Sequence, residues 1–216
     1  MKIYCFPGLG ADKRMYDYLF SHGNWDAEVL EFRKPAMSES MESYAKSYID
    51  QIDTSHPFAF IGTSLGGMIA VELSKVCEPK RVVLISSLKT KAEIPILIKS
   101  QRYLPLYKML KGKNYKKFNS VFGKLYGHSG KNNLKNLIME MGENTDDELI
   151  EWAVREVINW DNEYVPENLM QIHGDKDILF PPSNIDSKEL VKGGSHIMVL
   201  THSSQIYKAI DSFLSN

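Results

Sequence analysis

The run Phe58-Ala59-Phe60-Ile61, turning at once through Gly62-Thr63-Ser64-Leu65-Gly66-Gly67 into apolar residues from Met68 to about Val76, constrains this chain more than any other feature. A short apolar strand that feeds directly into an apolar helix belongs to a sheet covered on both faces. The turn also has the spacing G-x-S-x-G. Such a turn places Ser64 in a strained conformation, and close packing behind it requires Gly at the flanking positions. It lifts the Ser64 hydroxyl clear of the sheet and leaves the Leu65 N–H at a helix N-terminus, where negative charge is stabilised.

The flanking sequence repeats the pattern. Lys2–Phe6, Glu28–Phe32 and Arg81–Ile85 read as strands, with Leu169–Ile172 and Glu189–Val191 resuming the series near the C-terminus. Helical spacing separates them. Asp12 caps a segment through Phe20, Ser38 is the expected N-cap of a helix carrying Met41, Tyr44, Ala45 and Tyr48, and Ile206, Tyr207, Ile210 and Phe213 end the chain. This alternation predicts an α/β domain with a mainly parallel sheet in the middle of three layers.

Between residues 88 and 165 the alternation stops and a helical insertion is expected. Tyr115, Phe118, Phe122 and Tyr126 keep one helical face, as do Leu134, Leu137, Ile138 and Met141, and Thr145–Glu148 reads as a capping box opening a further helix. Charge is divided within it: residues 89–131 carry eleven Lys/Arg and one acid, residues 140–167 ten acids and one Arg. Opposite arms of one compact insertion neutralise each other; a basic mouth for an anionic substrate is the alternative. The expected division is a core of residues 1–87 and 166–216 with a helical cap at 88–165.

A serine hydroxyl is a weak nucleophile without a base, and the base needs an orienting acid. Two later motifs, Gln171-Ile172-His173-Gly174-Asp175-Lys176-Asp177 and Gly193-Gly194-Ser195-His196, follow strand ends, where open α/β sheets bind ligands. From the residues alone, Asp175 and Asp177 are both candidates for the acid. The chain order Ser64, Asp177, His196 resembles the Ser…Asp…His order of the α/β-hydrolases, and the resemblance extends over nearly the whole chain. It implies Ser64 as nucleophile, His196 as general base and Asp177, three residues after Gly174, as the acid, with Asp175 bracing the loop. Phe6-Pro7-Gly8-Leu9-Gly10 resembles the family's oxyanion loop, which implies that the Leu9 and Leu65 N–H groups form the oxyanion hole. Pro7 stands where the family has His. The chain also begins directly on the oxyanion-loop strand, without the family's leading hairpin, and leaves little room for a helix between Asp177 and His196. A trimmed core of about six strands is expected.

The other chemistry-bearing residues read as structural or solvated. His22, His56 and His128 lie in turn-like sequence, His173 at a strand end, His202 at the start of the last helix, and Cys5 and Cys77 as small core residues. Gly8-Leu9-Gly10 with Glu28 or Glu31 is a poor dinucleotide loop, because Lys13 replaces its third Gly. No cofactor and no metal site are expected, since the chain has no H-E-x-x-H and no Cys/His cluster. A net charge of −1 offers no field for nucleic acid or anionic membrane, two Cys make no disulfide framework, and no apolar run spans a bilayer. A soluble, cytoplasmic protein is the expectation, with its oligomeric state not legible. The function expected is a serine hydrolase of a small-molecule carboxylic ester or thioester. A non-catalytic small-molecule-binding module, and a lyase or cofactor-free peroxidase on the same triad, are the alternatives.

Overall fold

The computed structural model describes residues 1–104, 132–187 and 189–215. Tyr115, Phe118, Phe122, Tyr126, His128 and the basic residues from Lys108 to Lys131 lie outside the described residues.

Six strands form one parallel sheet: β1 (Lys2–Phe6), β2 (Ala27–Val29), β3 (Phe58–Thr63), β4 (Arg81–Ile85), β5 (Leu169–Gly174) and β6 (Glu189–Val191), in the order β2-β1-β3-β4-β5-β6. The helices are α1 (Asp17–Phe20), α2 (Met41–Lys46), α3 (Leu65–Leu73), α4 (Ile96–Ser100), α5 (Asn132–Glu143), α6 (Asp147–Asn159), α7 (Met198–Thr201) and α8 (Ser203–Ser215). Alternate strand residues face opposite layers. Tyr4, Phe6, Phe58, Phe60, Val82 and Leu84 pack with α2, α3 and α6. Ile3, Cys5, Ala59, Ile61, Val83 and Ile85 pack with Leu19, Met198, Ile206 and Ile210. Both sets are apolar because both faces are covered, which is why the strands read as continuous hydrophobic runs.

The described part of the insertion is joined to these layers. In α6, Trp152 is fully buried, its ring 4.2 Å from that of Tyr44, and its indole N–H donates to the Glu39 carbonyl at 2.8 Å. Glu156 accepts the Met41 N–H at 2.7 Å, and the Trp160 indole donates to buried Glu72 at 2.7 Å. Its acids take cations both outside and inside it: Glu140 pairs with Arg14 and Glu148 with Lys34, while Asp161 and Glu163 take Lys91 and Glu156 takes Arg155.

Three local expectations shift. Ser40, not Ser38, caps α2, accepting the Ser43 N–H; Glu39 is drawn into a turn by the Ala36 N–H and Arg33 instead. Asp146 rather than Thr145 caps α6, because the Thr145 hydroxyl donates to the Met141 carbonyl at the end of α5. The second strand is Ala27–Val29, shorter and earlier than expected, as befits an edge strand with one partner. Among the described residues no helix is long and apolar enough to cross a membrane.

Candidate active site

The chain runs from β1 outward to β2 and then returns to place β3 on the other side of β1. Ligands of such sheets bind at this reversal, beyond the strand C-termini. The register Phe6↔Gly62 sets the ends of β1 and β3 side by side, so the Pro7–Gly10 loop and Ser64 leave the sheet as neighbours.

Ser64 has φ 53° and ψ −120°, a conformation that costs energy in a residue with a side chain and persists only where the surroundings impose it. They do. Its N–H donates to the Ile85 carbonyl at 3.0 Å, and its own carbonyl accepts the Ser87 hydroxyl at 2.6 Å and the Gly67 N–H at 3.0 Å. Glycine is required on both sides: a Cβ on Gly62 would lie 2.4 Å from the Gly67 Cα, and one on Gly66 would lie 2.2 Å from the Phe6 carbonyl oxygen. Gly8 is close by, where a Cβ would meet the Ser64 Cβ at 3.5 Å. The loop is held by the Gly8 N–H, which donates to the Met15 sulfur at 3.4 Å, and by a turn in which the Ala11 N–H donates to the Gly8 carbonyl.

Asp177 and His196 come from loops at the far end of the sheet. β5 and β6 pair through Gly174↔Val191, and their loops are laced together: the Asp175 N–H donates to the Val191 carbonyl and the Lys176 N–H to the Gly194 carbonyl. Asp175 Oδ1 accepts the Gly193 N–H at 2.7 Å, so this acid braces the loop that carries His196. The connection between the two loops holds one 3-10 turn, Pro182–Asn184, among the described residues.

His196 Nδ1 lies 2.8 Å from Asp177 Oδ2, and His196 Nε2 lies 2.9 Å from Ser64 Oγ. Asp177 and His196 are buried. Burial alone would raise the Asp177 carboxyl, but the nearby His173 ring, the His196 hydrogen bond and the Phe180 N–H outweigh it and hold the group well below the usual carboxylate range. An ionised carboxylate only accepts, so the proton sits on Nδ1 and the Nε2 lone pair faces the Ser64 hydroxyl. That tautomer can take a proton from Ser64 Oγ.

The geometry thus brings Ser64, His196 and Asp177 together, with Asp175 outside the relay and Leu65 the first residue of α3. Three supporting residues carry no signal in the spacing: Ser87 beneath the elbow, Phe180, whose ring meets His196 edge-on at 5.2 Å, and His173 on Asp177. The pair Ser86-Ser87, directly after an apolar strand, is the one feature that could have drawn attention to the first.

The family model described as thioesterase domain matches residues 1–86. A comparison with curated proteins returns no match. Solved structures with the same architecture include a hydrolase from Pseudomonas aeruginosa, at TM-score 0.79 and 15% identity, covering 100% of this chain and 90% of that one. A thermophilic esterase from Thermogutta terrifontis aligns at TM-score 0.75 and 12% identity, covering 100% and 89%. An enol-lactonase from Burkholderia xenovorans aligns at 0.67 and 16%, covering 100% and 91%. Agreement of the whole chain with these structures, together with its parallel sheet and the strand-to-helix turn at Ser64, makes this an α/β-hydrolase-fold protein.

Proposed function

We propose that this protein is a serine hydrolase of carboxylic esters or thioesters, with Ser64 as nucleophile, His196 as general base and Asp177 as the acid that orients it. The observation that carries the reading is the continuous relay from Ser64 Oγ through His196 to Asp177, at 2.9 and 2.8 Å. Ser64 Oγ attacks the substrate carbonyl carbon as its proton passes to His196 Nε2. The tetrahedral oxyanion is held by the Leu9 and Leu65 N–H groups, the second at the first turn of α3. His196 then gives its proton to the departing alkoxide or thiolate. Water, deprotonated by the same nitrogen, attacks the acyl-enzyme and releases the carboxylic acid.

The match of residues 1–86 to the thioesterase domain supports the thioester branch, although the acid and base lie beyond it. The insertion at 88–165 follows β4, whose Ile85, with Ser87 just beyond it, holds the nucleophile turn, and in this reading the insertion closes over Ser64 and selects the acyl group. The decisive experiment treats the wild-type protein and Ser64→Ala with a fluorophosphonate, then screens acyl esters and thioesters of graded length with the variant as blank. Stoichiometric labelling at Ser64 is expected. An unlabelled wild-type protein that turns over none of the substrates would refute the proposal and leave a non-catalytic binding role.

A further inference from the structure

His173 is a fully buried histidine that the relay itself does not use. Building on the hydrolase reading, we propose that His173 is a positioning residue of the reaction, holding the triad acid by way of Phe180, whose carbonyl takes its Nε2–H, with Asp177 Oδ2 as a longer second contact. It occupies the penultimate position of β5, four residues before Asp177. Its Nε2 lies 2.8 Å from the Phe180 carbonyl oxygen and 3.3 Å from Asp177 Oδ2. A carbonyl only accepts, so Nε2 carries the hydrogen and Nδ1 keeps a bare lone pair. Nδ1 is buried with no hydrogen-bond partner among the described residues. An unsatisfied N–H there would be the costlier choice, which agrees with the same tautomer.

The consequence is a carboxylate held on both oxygens. Oδ1 takes the Leu179 and Phe180 N–H groups, both at 2.9 Å, and Oδ2 takes the His196 N–H at 2.8 Å, with His173 Nε2, whose hydrogen goes to Phe180, a further 3.3 Å contact. Phe180 ties the arrangement together: its carbonyl receives His173, its N–H serves Asp177, and its ring meets His196. Asp177 cannot turn about its side-chain bonds without breaking at least one of these contacts. Other charged groups near this strand end are engaged elsewhere. Asp175 holds the Gly193 N–H, and Glu93 takes the Lys89 N–H and ammonium and the Gln171 amide.

His173 therefore acts on the reaction through Asp177 in two ways. It fixes, through the Phe180 carbonyl, the turn whose N–H groups hold Oδ1 and aim Oδ2 at His196, and the positive end of its Nε2–H, 3.3 Å from Oδ2, offsets part of the carboxylate's charge. Without it, Oδ2 rests on His196 alone and holds the proton of the imidazolium more tightly.

The test uses the full chain, with p-nitrophenyl butyrate as probe. His173→Leu is expected to lower kcat by about 10–100-fold with KM within about twofold, the scale of a lost hydrogen bond to a charged group. The acid limb of its kcat/KM profile should move to higher pH. His173→Gln, which can place an amide N–H near the Nε2 position, should recover most of that loss and the original limb. A wild-type kcat in His173→Leu, or a Gln variant no better than the Leu variant, would overturn the proposal in favour of packing alone. A direct readout stands beside activity: ¹⁵N-histidine NMR of the wild-type protein should report the neutral Nε2–H tautomer at His173, and the Nδ1–H form would equally overturn it. Were the wild-type protein inactive and unlabelled, the hydrolase reading would fail, and the tautomer would still decide whether His173 presents its N–H to the Phe180–Asp177 turn.

Discussion

The contact between α3 and the end of β1 offers a severe test of how the site is assembled, through Gly66→Ala. The added Cβ would sit 2.2 Å from the Phe6 carbonyl oxygen and 2.3 Å from that of Pro7. Ordinary contact is about 3.4 Å, so α3 and the Phe6–Pro7 backbone would have to separate by roughly 1 Å, and the obstructing atoms are backbone with no rotamer to yield. Overpacking of this kind costs about 1–3 kcal/mol, and the upper end applies where backbone must move. The better helix propensity of Ala returns about 1 kcal/mol. A net loss of about 2 kcal/mol lowers Tm by roughly 4–8 °C in a chain of this size. The same displacement carries Leu9 away from Ser64, and a misplacement near 1 Å costs on the order of 10² in kcat/KM. Gly8→Ala is the control. Its Cβ would meet Met15 Cε at 3.4 Å, Ser64 Cβ at 3.5 Å and the Thr63 carbonyl at 3.6 Å, all ordinary contacts, and Gly8 does not have a left-handed φ. Its stability is expected to hold or to rise by about 0.4–1 kcal/mol. Thermal melts and ester hydrolysis on both variants decide the matter. A Gly66→Ala protein melting within about 1 °C of wild type, or a Gly8→Ala protein falling as far, would refute the reasoning.

Ser64→Ala and His196→Ala should each lose several orders of magnitude in kcat without a change in Tm, and the double variant should lose little more, since the residues act as a unit. Asp177→Asn should lose about 10⁴-fold, because an amide N–H facing His196 favours the wrong tautomer and a second one meets the His173 N–H. Asp175→Asn keeps an acceptor for the Gly193 N–H and should stay within about tenfold of wild type; a reversed order of severity would reassign the acid. Asp177 is held below the usual carboxylate range in the folded chain, so its stabilising contribution is complete above about pH 4 and disappears as pH falls through the depressed value. Urea midpoints between pH 7 and pH 2 should therefore fall more steeply for wild type than for Asp177→Asn, and parallel curves would count against the hydrogen-bonded carboxylate.

Much of this architecture was legible because its signals are local. Phe58–Ile61 and Arg81–Ile85 are apolar on both faces wherever they pack, and Gly62-Thr63-Ser64-Leu65-Gly66 has few conformations open to it. The choice between Ser38 and Ser40 as N-cap was not local. It depends on Glu39, whose carbonyl receives the Trp152 indole from a helix more than a hundred residues away. The edge strand was misplaced for a similar reason, since only β1 pairs with it and sets its register. His173 read as structural because a strand-end histidine has no spacing signature; its contact with Asp177 exists only once the Gly174–Phe180 loop folds back over the strand.

The candidate site is divided along the chain, and the family match covers its first part. Residues 1–86 supply β2, β1, β3 and β4, the Pro7–Gly10 loop and Ser64. Residues 169–196 supply β5, β6, Asp177 and His196, whose positions come from two laced loops rather than from one motif. The halves meet along the β4–β5 ladder, from Val82↔Leu169 to Ile85↔Ile172, with the Ser86 N–H extending it to the Ile172 carbonyl. Everything between them in sequence leaves from one side of this seam and returns to the other. Pairing across the seam brings Ser64 Oγ and His196 Nε2 within 2.9 Å although 132 residues separate them. The ladder registers Ser64 against the loops of Asp177 and His196 through backbone hydrogen bonds, while Trp160, on Glu72 of α3, ties the insertion to the helix that follows Ser64. On the proposed hydrolase reading, the integrity of the β4–β5 ladder is therefore the structural condition for activity.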